Sequence, residues 1–176
     1  MNKQLIAKLA LVAMAAGAVA AQATTVSPAP TFKVTMTITS TCAVTTPGDI
    51  SLGSVVAQTT AVTQTGNTTF KVNCSKGTAF YIGLAPSNAS TAGAGTMSGA
   101  IVGNTDKVPY TLYSDSGYST VWGNTATSSA VGNGKSGTGL GMASANAVSF
   151  TAYAKATNAD FTPDTYTDTV TVNVNY

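Results

Sequence analysis

The chain has 176 residues, with 8 Lys and Arg together, 6 Asp and Glu together, and no His. So small and balanced a charge excludes the basic patch that nucleic-acid binding needs. Without His or Glu the usual general bases and metal ligands are missing, so no enzyme activity, cofactor or metal site is expected.

The chain opens on a secretory signal. Lys3 and Lys8 form a basic start, residues 9–20 are apolar apart from Gly17, and Ala21-Gln22-Ala23 supplies a small-x-small cleavage pattern. The apolar run is too short for a comfortable membrane span, so residues 1–23 are expected to be removed by cleavage after Ala23, a retained anchor being the alternative. The mature chain is then roughly 150 residues, enough for one domain with a real core. It carries equal numbers of Lys and Asp, and so little net charge suits a protein that associates.

From residue 26 to residue 38 every even position is apolar or Pro: Val26, Pro28, Pro30, Phe32, Val34, Met36 and Ile38. The odd positions are polar except Ala29, and a period of two puts one set of side chains on one face of an extended strand. Pro28 and Pro30 cannot donate ladder bonds, so that end is an edge or lies outside a ladder. A one-faced N-terminal segment on an exported β-protein is what strand donation to another molecule requires. Val26, Phe32, Val34, Met36 and Ile38 are therefore the expected donor residues. Burying the last four in a partner would give roughly 6–12 kcal/mol gross, at about 1.5–3 per side chain. The competing reading makes residues 32–38 the first strand of this same domain. The alternation runs through unbroken, so a division into a donor segment at 24–36 and a domain at 37–176 has no readable boundary.

Cys42 and Cys74 are the two cysteines, and in an oxidising compartment such as a periplasm they are expected to pair, two free buried thiols being the alternative. The bridge closes a loop of about 30 residues and contributes roughly 3.5 kcal/mol on the chain-entropy model. Beyond Cys42 the pattern predicts a turn at 47–49, a strand at 50–57 with a Gly irregularity, and a turn at Gly66-Asn67. A strand at 69–74 puts Phe70, Val72 and Cys74 on one face, and 79–84 is an apolar strand. Residues 86–99 read as a loop, 100–102 as a short strand, 108–113 as an alternating strand and 114–119 as a turn. Val121-Trp122 reads as a short edge element, 123–141 as a long loop, 147–154 as a strand and 158–165 as a turn region. The cleanest alternation is last, at 166–176, where Val170, Val172, Val174 and Tyr176 share a face with Tyr166. No stretch has a capped 3.6 period, so the expected fold class is an all-β antiparallel sandwich. With no sequence beyond it, the final strand is expected to keep one side unpaired, an aggregation hazard unless covered.

Several motifs fail on context. Gly132-Asn-Gly134-Lys-Ser-Gly137 has dinucleotide-loop spacing without a βαβ setting, and Ser129 stands where a phosphate loop needs Gly. Asp115, Asp160, Asp164 and Asp168 read as turn residues rather than cation ligands. Trp122 and the tyrosines read as core or edge packing rather than a ligand platform.

Taken in order, these pieces resemble the spore coat protein U domain family, which includes the subunits of archaic, Csu-type chaperone–usher pili. The resemblance rests on the alternating N-terminal strand ending in Thr41-Cys42-Ala43-Val44, on Val72-Asn73-Cys74, and on the run from Val108 to Asp115. Trp122-Gly123 before a glycine-rich loop and the terminal Tyr166-Thr-Asp-Thr-Val-Thr-Val-Asn-Val-Asn-Tyr176 complete it. The Pro28/Pro30 pair departs from the pattern and leaves the start of a donor strand open. The resemblance implies an incomplete immunoglobulin-like sandwich, finished by a strand from a neighbouring subunit. It implies as partners copies of itself or related pilins, a periplasmic chaperone and an outer-membrane usher. It implies export through the periplasm to a fimbrium on the cell surface, used in attachment and biofilm formation. A tip adhesin and a non-fibrous secreted coat protein are the alternatives. The acceptor edge expected is Val170, Val172, Val174 and Tyr176.

Overall fold

A computed structural model describes Thr24 and residues 27–176; the signal segment with its cleavage after Ala23, and Val26, lie outside the described residues. The chain divides into two units, Met1–Thr37 and Ile38–Tyr176. No described residue of the first belongs to a strand.

The second unit is built from nine strands: β1 Cys42–Val44, β2 Gln64–Cys74, β3 Ala79–Pro86, β4 Ala94–Gly99, β5 Lys107–Tyr113, β6 Lys135–Thr138, β7 Val148–Ala156, β8 Tyr166–Thr167 and β9 Val170–Asn175. The only helical turn among the described residues is Ser144–Asn146. A six-stranded sheet runs β1-β2-β7-β5-β4-β8 and a three-stranded sheet runs β6-β3-β9, with every pairing antiparallel. The fold class is thus an all-β antiparallel sandwich.

Alternation builds the core. Phe70, Val72 and Cys74 from β2, Phe80, Ile82 and Leu84 from β3, Tyr110 and Leu112 from β5, and Ala152, Ala154 and Ala156 from β7 are all buried in one cluster. Each set occupies every second position of its strand, as one buried face demands. Trp122 is fully buried with them and donates its indole N–H to the Ile82 carbonyl at 2.9 Å. The sequence placed it as edge or core; it is core.

Cys42 and Cys74 are bonded, and they are register partners in β1 and β2 with Cα atoms 4.1 Å apart. The flanking bonds, Thr45 N–H to Lys71 O and Ser75 N–H to Thr41 O, make 42/74 a pair not itself hydrogen-bonded. Such pairs are the narrow sites of an antiparallel ladder, where side chains come closest.

Five assignments made from the sequence are corrected. Gly66 and Asn67 are not a turn but lie inside β2, opposite Ala154 and Tyr153. A Cβ on Gly66 would collide with the Ser51 carbonyl and the Ile50 side chain, so Gly there admits a crossing segment rather than a bend. The loop at 86–99 contains β4 and the loop at 123–141 contains β6. Residues 50–57 form no strand. Residues 100–102 form no strand either, and the chain turns there with Asn104 N–H bonded to Ile101 O at 3.0 Å.

The turns are held by carboxylates. Asp115 accepts the amides of Thr120, Ser119 and Gly117 and the Ser119 hydroxyl. The Thr120 amide above all holds its carboxyl below the usual range; burial pushes the other way less strongly, and the Ser119 amide and hydroxyl add to the lowering. The Thr162 backbone and then its side chain do the same for Asp106. At Asp164 burial pushes upward, but Asn104 and the amides of Ile101, Thr165 and Ala100 outweigh it. Lowered folded values stabilise the fold fully above the ordinary carboxylate value of 3.8, and that contribution disappears as pH falls through them. Melting temperature is therefore expected to be level from neutral pH down to about pH 5 and to fall below about pH 4. Thermal scans across that window check it, and a flat profile to about pH 2 would contradict it.

Candidate functional site: an open edge over the core

The two sheets are unequal, and the difference shows at β9. Among the described residues β9 pairs with β3 alone, from Val170 opposite Pro86 to Asn175 opposite Tyr81, so its other edge has no ladder. Val170, Val172 and Val174 are half-buried and pack on the core. Tyr176, just past the strand, is half-exposed.

Beside Val170 and Val172 a cleft of about 550 Å³ opens down to the core. Its floor is Phe70, Leu84, Leu112, Ala152 and Ala154, and its far wall is residues 46–50 with Leu52. A second cleft of about 600 Å³ shares Asp49, Ile50, Leu52, Met97 and Tyr166 with the first and continues between residues 49–55 and residues 158–166. The bridge between Gln58 and Ala159 closes that end. Small Ala side chains on β7, where a closed sandwich would carry larger ones, leave this space in the floor.

Why the terminal alternation opens the cleft is visible at its break. The sequence reads residues 166–176 as one strand, but β8 pairs with β4 in the large sheet and β9 with β3 in the small one. The chain changes sheet at Asp168 and Thr169. The Tyr110 hydroxyl donates to Asp168 Oδ2 at 2.6 Å, bonding the crossover to β5 of the opposite sheet. Burial, then that bond, then the carboxylate charge hold the Tyr110 hydroxyl protonated well above the tyrosine range. Nearby, the Tyr166 hydroxyl donates to Thr162 O at 2.7 Å and accepts from Asn104. The cleft therefore has fixed polar posts at one margin and an apolar base. Its chemistry is that of a docking slot for an extended apolar segment, with backbone hydrogen bonds available along β9.

Of the expected donor residues the four described are open to solvent: Phe32 is 89% exposed, Val34 88%, Met36 83% and Ile38 79%. None of them lies in a strand, so residues 32–38 do not form a first strand of this domain's sheets. The expected acceptor edge gives Val170 and Val172 to the cleft, while Val174 and Tyr176 lie outside its lining. The sequence did not single out Met97, Ala152, Ala154, Tyr110 or the wall at 46–52. For Tyr110, which shares β5 with Leu112, and for Ala152 and Ala154 within β7, alternation was the available signal. Asp115 and Asp164 hold turns and Asp168 takes the Tyr110 bond, and among the described residues no three His, Cys, Asp or Glu gather as a metal site would need. No helix of the described residues is long and apolar enough to cross a membrane.

The model of the Spore Coat Protein U domain matches residues 29–173. No curated protein matches the chain. Among solved structures it is similar to a chain in the CsuC–CsuE chaperone–tip adhesion subunit pre-assembly complex from archaic chaperone-usher Csu pili of Acinetobacter baumannii, at TM-score 0.48 and 19% identity. That similarity covers 80% of this chain and 40% of the other, so this chain spans less than half of it. A coat-protein domain over most of the chain makes it a structural protein and not an enzyme.

Proposed function

Because the chain belongs to the Spore Coat Protein U domain family, we propose that it is a structural pilin subunit that polymerises by donor-strand exchange into an archaic chaperone–usher pilus. After removal of residues 1–23, residues 24–36 of one copy serve as donor, and the domain at 37–176 of the next receives them beside β9. A periplasmic chaperone covers the slot before assembly and an outer-membrane usher exchanges it for the next subunit. The fibre stands on the cell surface and serves attachment and biofilm formation.

One observation supports this reading: a strand edge without a partner among the described residues, over a cleft floored by core, in a chain whose alternating residues Phe32 to Ile38 are bare to solvent. The slot supplies what the segment lacks, an apolar surface and a row of backbone donors and acceptors. Covering it also removes the hazard of a free edge.

The test is electron microscopy of cells expressing the chain with its gene neighbours, compared with a chain lacking residues 24–36 behind an intact signal. Fibres are expected from the first and none from the second. Fibres from both would end the proposal.

A further inference from the structure

Charge is divided unevenly between the N-terminal segment and the clefts. Lys33, set between Phe32 and Val34, is the one charged side chain in residues 24–38. The clefts are the reverse: Asp49, Asp164 and Asp168 line them, and no described lysine does. Two of the three carboxylates are already engaged. Asp164 accepts from the Asn104 side chain and from the amides of Ile101 and Thr165, and Asp168 accepts from the Tyr110 hydroxyl and the Thr169 amide. Asp49 lines both clefts, is exposed, and has no hydrogen bond or ion pair among the described residues. Its neighbours Ile50 and Leu52 pack on the core, which leaves the Asp49 carboxylate at the solvent rim. Lys33 has the matching disposition, because in an extended segment it lies on the face opposite Phe32 and Val34.

We propose that Lys33 of an incoming copy pairs with Asp49 of the receiving one, and that this pair fixes the register in which the donor docks. The proposal rests on the strand-exchange reading and names the residues that set its specificity. An apolar face that repeats every second residue cannot choose its own register. Phe32, Val34, Met36 and Ile38 slipped by two positions still present apolar side chains to the cleft floor, whereas a slip by one turns them all outward. One charge in an otherwise uncharged segment removes that degeneracy. A two-residue slip carries the ammonium about 7 Å along the strand, out of reach of a fixed carboxylate. The pair contributes little affinity at a solvent rim; its effect is on which alignment is preferred.

The measurement is binding of synthetic peptides of residues 27–38, at low salt, to the full chain carrying Phe32→Asp and Val34→Asp, whose slot stays empty. A peptide with Lys33→Glu is expected to bind roughly three- to tenfold more weakly than the native peptide, and Asp49→Lys on the receiving chain to recover most of that loss. High salt should shrink the difference. A peptide with Lys33→Thr and Thr35→Lys keeps the net charge and moves it by two positions; it is expected to bind more weakly than the native one. Asp49 is exposed and unbonded, so its replacement should leave the fold intact; Asp49→Asn, read with native and Lys33→Gln peptides, repeats the cycle with a smaller change. Equal binding of the Lys33→Glu peptide, weakening without recovery, or equal binding of the relocated lysine each overturns the pair and leaves strand exchange standing. A native peptide that does not bind defeats the strand-exchange reading and the pair with it.

Discussion

A chain carrying Phe32→Asp and Val34→Asp should fold as the native one does and drop out of assembly. Both positions are bare to solvent and strand-free in the single chain, so carboxylates there displace no packing and break no hydrogen bond. In a partner's slot the same positions would meet Phe70, Leu84 and Leu112, and no cation lines either cleft. Losing two apolar burials removes about 3–6 kcal/mol, which alone weakens docking by roughly a hundredfold to ten-thousandfold. The cost of an uncompensated buried carboxylate comes on top. Unfolding midpoints should match within about 0.5 kcal/mol, as for other surface substitutions. Multimer bands and fibres should be absent. Fibres at native yield would show that the even-numbered face is not what docks.

Replacing both cysteines, Cys42→Ser with Cys74→Ser, should give the largest loss of stability in the single domain. The bond joins residues 32 apart, and on the chain-entropy model its loss returns about 3.5 kcal/mol to the unfolded state. The native state suffers as well, because Cys74 is fully buried in the core and β1 is only three residues long. At about 2–4 °C per kcal/mol for a domain of this size, the melting temperature should drop by roughly 7–14 °C. Urea unfolding of the double variant beside the native chain measures it, and a midpoint unchanged within error would overturn it. The double substitution matters, since a single one leaves a free thiol able to cross-link copies.

Strands that carry their own pattern were legible in the sequence. Phe70, Val72 and Cys74, or Val170, Val172 and Val174, announce a face by parity and β-branched or aromatic content. β4 and β6 were not, because AGTMSG and KSGT show no alternating apolar face and hold one β-branched residue each, Thr96 and Thr138. They are strands because a strong neighbour recruits them, and their glycines face aromatic rings across the ladder. Gly95 is paired with Tyr110 and Gly137 with Phe80, and in each case a Cβ would strike the ring. That glycine reads locally as a loop signal and acts as a seat for a partner far away in sequence. The opposite error, at residues 50–57, arises where the local pattern is strand-like and no strand among the described residues pairs with it. For the slot itself, the open edge could be expected from the alternation at the end of the chain. Its floor could not, since Ala152 and Ala154 carry no signal beyond their parity.

The bond between Cys42 and Cys74 has a mechanical meaning in a fibre built by strand exchange. Tension pulling on the head of one subunit enters its domain through residues 38–42 and meets a three-residue edge strand that would peel under modest load. The covalent link routes the pull past β1 into β2, an 11-residue strand laddered to β7 from Gln64 to Val72. Load carried along such a ladder is resisted by many rungs at once, so the subunit is riveted where a filament would otherwise tear.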